Sequence, residues 1–271
     1  MKLKAFALSL LICGAASVYA ESAVEVVTKY KNLAVPPYST GTLYLDSVSP
    51  SGQVTEHREL KQYGKIFRTS EINVVFEFTT PKSIKDTRIL QSEKIGKTDD
   101  NFVYTPDLRQ VRRLPVAERN KSVVGTELTY GDMRIRDVED DRHEMMDENA
   151  TITVESTTYK AYKIRSTPVK KSEVDHSMRI TWFDKETYLP VRVEYYDKKD
   201  KTKLTRSISI EKIEHVKGTT GNDYVLRRLC WAKNEINGRR TRVYVKDFLF
   251  DAQNVTDSYF TQNWLKTGRA K

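Results

Sequence analysis

With 271 residues, two cysteines and a net charge of +9, the chain has room for one large β domain or two small ones. Beyond residue 20 no apolar run approaches the roughly 20 residues that span a bilayer as a helix. The basic charge suits nucleic acid, anionic lipid headgroups or solvated strand faces, and the export signal at the start of the chain argues against nucleic acid.

Residues 1–20 read as a signal peptide. Lys2 and Lys4 form a positive n-region, Ala5 to Ala16 an apolar h-region, and Val18-Tyr19-Ala20 the site that a signal peptidase reads. Cleavage after Ala20 leaves Glu21 first, Cys230 as the single thiol, and a charge of +7 once Lys2 and Lys4 are subtracted from +9. Cys13 is a poor lipidation site: Ile12 stands where a small residue is needed, and the apolar run continues past it. An exported, soluble chain without a disulfide is expected, so its core must stabilise the fold alone.

Residues 21–271 are expected to form one domain. Ser22-x-x-Glu25 is a capping box, and Val24, Val27, Tyr30 and Leu33 follow at helical spacing up to Pro36-Pro37. From there the period drops to two. Val74, Phe76 and Phe78 alternate with Val75 and Glu77. Met178, Ile180 and Trp182 alternate with Arg179 and Thr181. Leu189, Val191, Val193 and Tyr195, then Ile208 and Ile210, then Val243 and Val245 continue the pattern. Ser51-Gly52, Lys198 to Lys201, Gly218 to Asp223 and Asn237-Gly238 punctuate it, the last predicting a type I′ hairpin. The charged segment Asp137 to Asn149, with Met145-Met146, reads as a loop or short helix over one face. Asp257 or Ser258 can cap a last helix carrying Phe260 and Trp264 and ended by Gly268.

An antiparallel meander of about ten strands with one apolar face must curl and be covered. The expected fold is therefore mainly β: an unclosed antiparallel barrel, a half-barrel, with the two helices and the Asp137–Asn149 segment in its mouth. Such a barrel leaves an apolar cavity. Alternation nominates Val74, Phe76, Phe78, Met178, Ile180, Trp182, Val191 and Val193 as its lining, although an ordinary dry core would give the same pattern.

Catalytic chemistry is not apparent. The histidines at 57, 143, 176 and 215 are scattered without metal-ligand spacing, and Glu139-Asp140-Asp141 lacks the glycine and trailing glutamate of a calcium loop. There is no nucleophile elbow or phosphate loop. Cys230, between Leu229 and Trp231, reads as a buried inert thiol. No cofactor or metal is expected, and no enzymatic activity. Asn149 and Asn254 stand in glycosylation sequons. One segment stands apart: Tyr104-Thr-Pro106, then Arg109, Arg112 and Arg113, then Gly125, Tyr130 and Asp132. Its arginines are either a solvated strand face or an anion-binding rim.

This segment resembles the outer-membrane lipoprotein-sorting proteins, the LolA-like family of periplasmic carriers. Two further blocks match, Trp182 to Tyr195 and Thr241 to Phe250 followed by Phe260 to Leu265, so the resemblance covers nearly the whole chain after residue 20. Glu127 and Leu128 stand where the family more often has Asp and Phe, and Val123-Val124 replace an aromatic-Met pair. The resemblance implies an unclosed barrel with a helical lid, a periplasmic location, and an apolar cavity for acyl chains of lipoproteins or lipid. The implied task is delivery towards the outer membrane, with a membrane transporter or outer-membrane acceptor as partner. Acting as an accessory of a lipid-export or efflux transporter, or as a structural envelope protein without ligand, are the alternatives. A monomer is expected. Arg109, Arg112 and Arg113 are then expected at the cavity rim, where Asp137–Asn149 offers carboxylates.

Overall fold

A computed structural model describes residues 20–67, 71–94, 97 and 99–269. The expected signal peptide and Cys13 therefore lie outside the described residues.

The chain enters through α1 (Ala23–Lys31), whose capping box is complete: the Ser22 hydroxyl accepts from Glu25 N at 3.2 Å, and Ser22 N donates back to the Glu25 carboxylate at 2.7 Å. Its buried stripe is Ala23, Val26 and Val27, with Tyr30 packed beside them. Val24, predicted to share that stripe, is half exposed. Among the described residues thirteen strands follow: β1 (Tyr38–Val48), β2 (Val54–Phe67), β3 (Glu71–Thr80), β4 (Arg88–Ser92), β5 (Asp100–Thr105), β6 (Gln110–Arg113), β7 (Asp141–Val154), β8 (Thr157–Pro168), β9 (His176–Asp184), β10 (Pro190–Asp197), β11 (Leu204–Lys217), β12 (Asp223–Asn234) and β13 (Arg240–Phe250). The short helix α2 (Gln262–Thr267) ends the fold.

All the strands form one antiparallel sheet ordered β6-β5-β4-β3-β2-β1-β13-β12-β11-β10-β9-β8-β7. The edges β6 and β7 do not pair, so this is the expected unclosed half-barrel. The meander runs outwards from the β1–β13 pair in two halves. Consequently the segment 114–140 must travel from one edge of the sheet to the other, and it does so across the hollow face. Val123 enters the main core there with Leu43, Leu45, Leu60, Phe78 and Ile89, while Leu128 and Met133 pack against it.

The sheet has a second apolar face, which sequence alternation hides. Val75, Leu90 and Tyr104 point away from the hollow and meet Trp264 and Leu265 of α2. So α2 covers the reverse face of β3–β5 rather than the barrel mouth. Its αL cap, Gly268, bonds back to the Trp264 carbonyl at 2.7 Å. At the other end of the sheet the tip of the β7–β8 hairpin folds over the same reverse face. Ala150, Val154, Tyr159 and Ala161 pack there on Ile180, Trp182 and Val191. Glu155 at the tip pairs with Arg240, whose guanidinium lies 3.7 Å above the Trp231 ring.

Two further expectations are corrected. Asp137–Asn149 is no loop or helix: after a single helical turn at Val138–Asp140 it is the start of edge strand β7. An edge strand has one sheet neighbour only, and the charge that suggested a loop is what keeps such an edge from pairing with other chains. The Asn237-Gly238 hairpin is not type I′, because only Gly238 has positive φ, at 75°. The connection is a longer turn closed by Gly238 N donating to Asn234 O at 2.9 Å.

Candidate functional site

The hollow face holds an apolar cavity of about 440 Å³, within the range of small-molecule sites. Its walls follow period two on successive strands: Leu43 and Leu45 on β1, Val74, Phe76 and Phe78 on β3, Val243 and Val245 on β13. Phe248 reaches the cavity over Gly41, its cross-strand partner; a Cβ at position 41 would clash with the Phe248 ring. The segment 114–140 closes the wall with Val123, Leu128, Met133 and Ile135. The stretch Leu33–Pro36 between α1 and β1 also borders the cavity. α1 packs on the sheet through Ala23, Val26, Val27 and Tyr30, while Lys31 pairs with Glu93 at 2.6 Å and Asp137 at 3.1 Å and Lys29 donates to Tyr188 Oη at 3.0 Å.

A smaller chamber of about 160 Å³ adjoins it, and the two share Tyr30, Asp132, Ile135, Ile208, Arg227 and Cys230 as wall residues. Its chemistry is ionic. Asp141 is nearly inaccessible, receives Arg179 at 2.6 Å and Arg136 at 2.9 Å, and these two guanidiniums outweigh burial to hold its carboxyl below the usual range. Asp132 is clamped by Arg206, and Tyr195 Oη donates to it at 3.2 Å. Burial and the Asp132 charge push the Tyr195 hydroxyl up to about 12. Arg134 meets Asp99 at 2.7 Å and Asp140 at 3.0 Å. His143 sits between the Ser166 hydroxyl and the Val138 carbonyl, both at 2.9 Å. His176 Nδ1 faces Asp175 at 3.2 Å, while its buried Nε2 has no hydrogen-bond partner. Burial lowers both imidazoles.

The predicted lining residues divide three ways. Val74, Phe76 and Phe78 border the apolar cavity, and Val193 borders the ionic chamber. Ile180, Trp182 and Val191 lie in the reverse-face cluster under the β7–β8 tip, and Met178 shares their side of β9. Strand β9 carries bulky residues on both faces, so alternation alone cannot choose. Arg179, Thr181 and Phe183 are the ones turned inward, and a register shift beside Val191 parts it from Val193. Sequence reading passes over the inward set because a strand arginine looks solvent-facing; its partner Asp141 is 38 positions away.

The expected arginine rim is not at the cavity. Arg109 sits in the exposed β5–β6 turn with φ 50°. Arg112 pairs with Glu118 at 2.9 Å and Arg113 with Asp100 at 2.5 Å, on side chains that are 57% and 62% exposed. Neither meets Asp137–Asn149; the arginines that do are Arg134, Arg136, Arg165 and Arg179. Cys230 is half-buried on the cavity wall, and burial pushes its thiol up to about 11. Among the described residues no group of His, Cys, Asp or Glu has the arrangement of a metal site, and no helix is long and apolar enough to cross a membrane.

The fold has solved counterparts. A DUF1329 family protein from Desulfovibrio piger matches with TM-score 0.76 at 21% identity, over 90% of this chain and 97% of that one. A putative outer membrane lipoprotein-sorting protein domain from Vibrio parahaemolyticus matches with TM-score 0.76 at 18% identity, over 90% and 98%. A LolA superfamily protein from Nitrosomonas europaea matches with TM-score 0.63 at 16% identity, over 90% and 100%. No curated protein matches by sequence. A family model described only as an uncharacterized protein matches residues 70–267, well over half the chain. The chain thus belongs to that family and has the fold of the lipoprotein-sorting and LolA superfamily structures.

Proposed function

We propose that this protein is a periplasmic carrier that shields acyl chains of a lipid or lipoprotein and passes them towards the outer membrane. The observation that carries the reading is the 440 Å³ cavity walled by Leu, Val and Phe on one face of an unclosed sheet. An acyl chain gains about 0.8 kcal/mol per buried methylene, so roughly sixteen carbons represent about 12 kcal/mol of exposure to avoid in water. Burial of that kind is non-directional, which suits a cargo that must be released as well as held. The task requires no bond to be made or broken, and so no catalytic group.

The sequence signal for export supports the location, and the counterparts with lipoprotein-sorting descriptions share the fold on which the reading rests. The test is native mass spectrometry of protein purified from the cell envelope without detergent. A carrier retains a mass increment that organic extraction identifies as lipid. A protein that purifies empty, and takes up no fluorescent fatty acid when offered one, is instead a structural envelope component.

A further inference from the structure

The apolar cavity and the ionic chamber share a wall, and a ligand that used both would have a tail and a headgroup. Arginines line the chamber together with the carboxylates of Asp132, Asp137, Asp141, Glu173 and Asp175. Arg119, Arg134, Arg136, Arg179 and Arg206 each have a carboxylate partner, at Asp99, Asp99, Asp141, Asp141 and Asp132 respectively. Arg227, on β12, borders both spaces, is exposed, and has no ion pair among the described residues. Its charge reaches the Cys230 thiol on the wall that the two spaces share, and a guanidinium without a counter-ion is suited to a planar, bidentate contact with carboxylate or phosphate. Deeper in the chamber, His176 is 5% exposed with Nε2 unpartnered. With Nδ1 held towards the Asp175 carboxylate, a neutral imidazole presents Nε2 as an acceptor for a hydroxyl.

We propose that the ionic chamber is a headgroup site, and that the protein's ligand is an anionic amphiphile whose tail fills the apolar cavity and whose acidic group pairs with Arg227. This rests on the carrier reading and narrows it, because a carrier of tails alone would be indifferent to the headgroup. Carboxylate and phosphate headgroups share the chemistry, and a fatty acid compared with a lysophosphatidic acid separates them.

The experiment displaces the neutral probe N-phenyl-1-naphthylamine from the full protein with lauric acid, with dodecanol and with lauroyl lysophosphatidic acid, at a pH where the acids are ionised. The expected result is that at least one acid displaces the probe about ten-fold more tightly than the alcohol, the size of a charge-assisted hydrogen bond. Arg227→Met should abolish that preference while leaving dodecanol within two-fold of wild type, and Arg227→Lys should keep part of it. Position 227 is exposed, so these variants retain the fold, which circular dichroism checks. Equal displacement by acids and alcohol, or a preference that survives in Arg227→Met, overturns the headgroup site and leaves the carrier reading standing. Displacement by none of the three overturns both.

Discussion

Asp132 and Arg206 form a clasp between the crossing segment and the sheet. Asp132 lies in the helical turn Tyr130–Met133, where its carboxylate also accepts from Thr129 N at 2.7 Å, and Arg206 comes from β11. The Arg206 side chain is 13% and the Asp132 side chain 4% exposed, so removing one partner leaves a nearly buried charge. Arg206→Met or Asp132→Asn should cost about 3–5 kcal/mol, read by urea denaturation. The double variant should recover part of that cost, because the clasp is replaced rather than broken; independent, additive losses would show that the two residues do not act as a pair.

The two faces of the sheet should separate binding from stability. Phe76→Gln changes a cavity wall residue that is not fully buried and should weaken fatty-acid uptake with modest loss of stability. Trp182→Ala, on the reverse face, should cost about 3–5 kcal/mol as a core truncation and leave the affinity of the folded protein unchanged. Loss of affinity in Trp182→Ala, measured where circular dichroism reports a native fold, would contradict the assignment of faces.

Arg112→Leu and Arg113→Leu, made separately, should each change stability by no more than about 1 kcal/mol, as exposed ion pairs do. Neither should alter uptake or release of a fluorescent fatty acid, since both lie at the β6 edge. An altered release rate from either variant would return these arginines to a gating role.

The difference between what is and is not legible in the sequence has a physical basis. The capping box of α1 and the lining of β3 depend on neighbours within a few residues, and both are read directly: Ser22 with Glu25, and Val74, Phe76 and Phe78 against Glu77. Curling of a long antiparallel sheet also follows from its length. The face of β9 does not, because Ile180 and Trp182 on one side and Thr181 and Phe183 on the other are all compatible with burial. What decides is the fold-back of the β7–β8 hairpin onto the reverse face, a contact between distant strands. The ionic chamber is hidden for the same reason. Arg206 and Asp132 are separated by 74 positions and Arg179 and Asp141 by 38, and each of these residues taken alone resembles surface charge.

Cys230 offers a probe of occupancy in the unmodified protein. It is the free thiol among the described residues and borders both spaces. With its thiol pushed up to about 11 by burial, little thiolate is present near neutral pH, so a maleimide should react far more slowly than with an unstructured cysteine. Lipid in the cavity should slow labelling further, and extraction of the lipid should restore it. Equal labelling rates with and without fatty acid would mean that bound tails do not reach the junction of the two spaces.

Acidification should loosen the wall that carries α1. His143 and His176 border the ionic chamber, and burial, the largest influence on each, lowers both imidazoles despite the carboxylates of Asp141 and Asp175 beside them. The flanking Arg136 and Arg179 charges act in the same direction as burial. The sign follows from linkage: unfolded histidine, titrating near 6.5, holds more protons than the folded protein does just below that pH. Stability therefore rises with pH in this window. The contribution of both imidazoles is complete above about 6.5 and is lost as the pH falls through their lowered folded values. Asp141, whose carboxyl is held low by Arg179 and Arg136 against burial, adds a second loss only at more acid pH, as it protonates. Thermal unfolding followed from neutral pH down to about 5 should thus show Tm falling before Asp141 protonates. His143→Gln can keep contacts to Ser166 and the Val138 carbonyl without taking a proton, and combined with His176→Gln it should flatten the curve across that window while leaving the steeper loss at lower pH. A double variant that keeps the wild-type slope would place the acid sensitivity elsewhere.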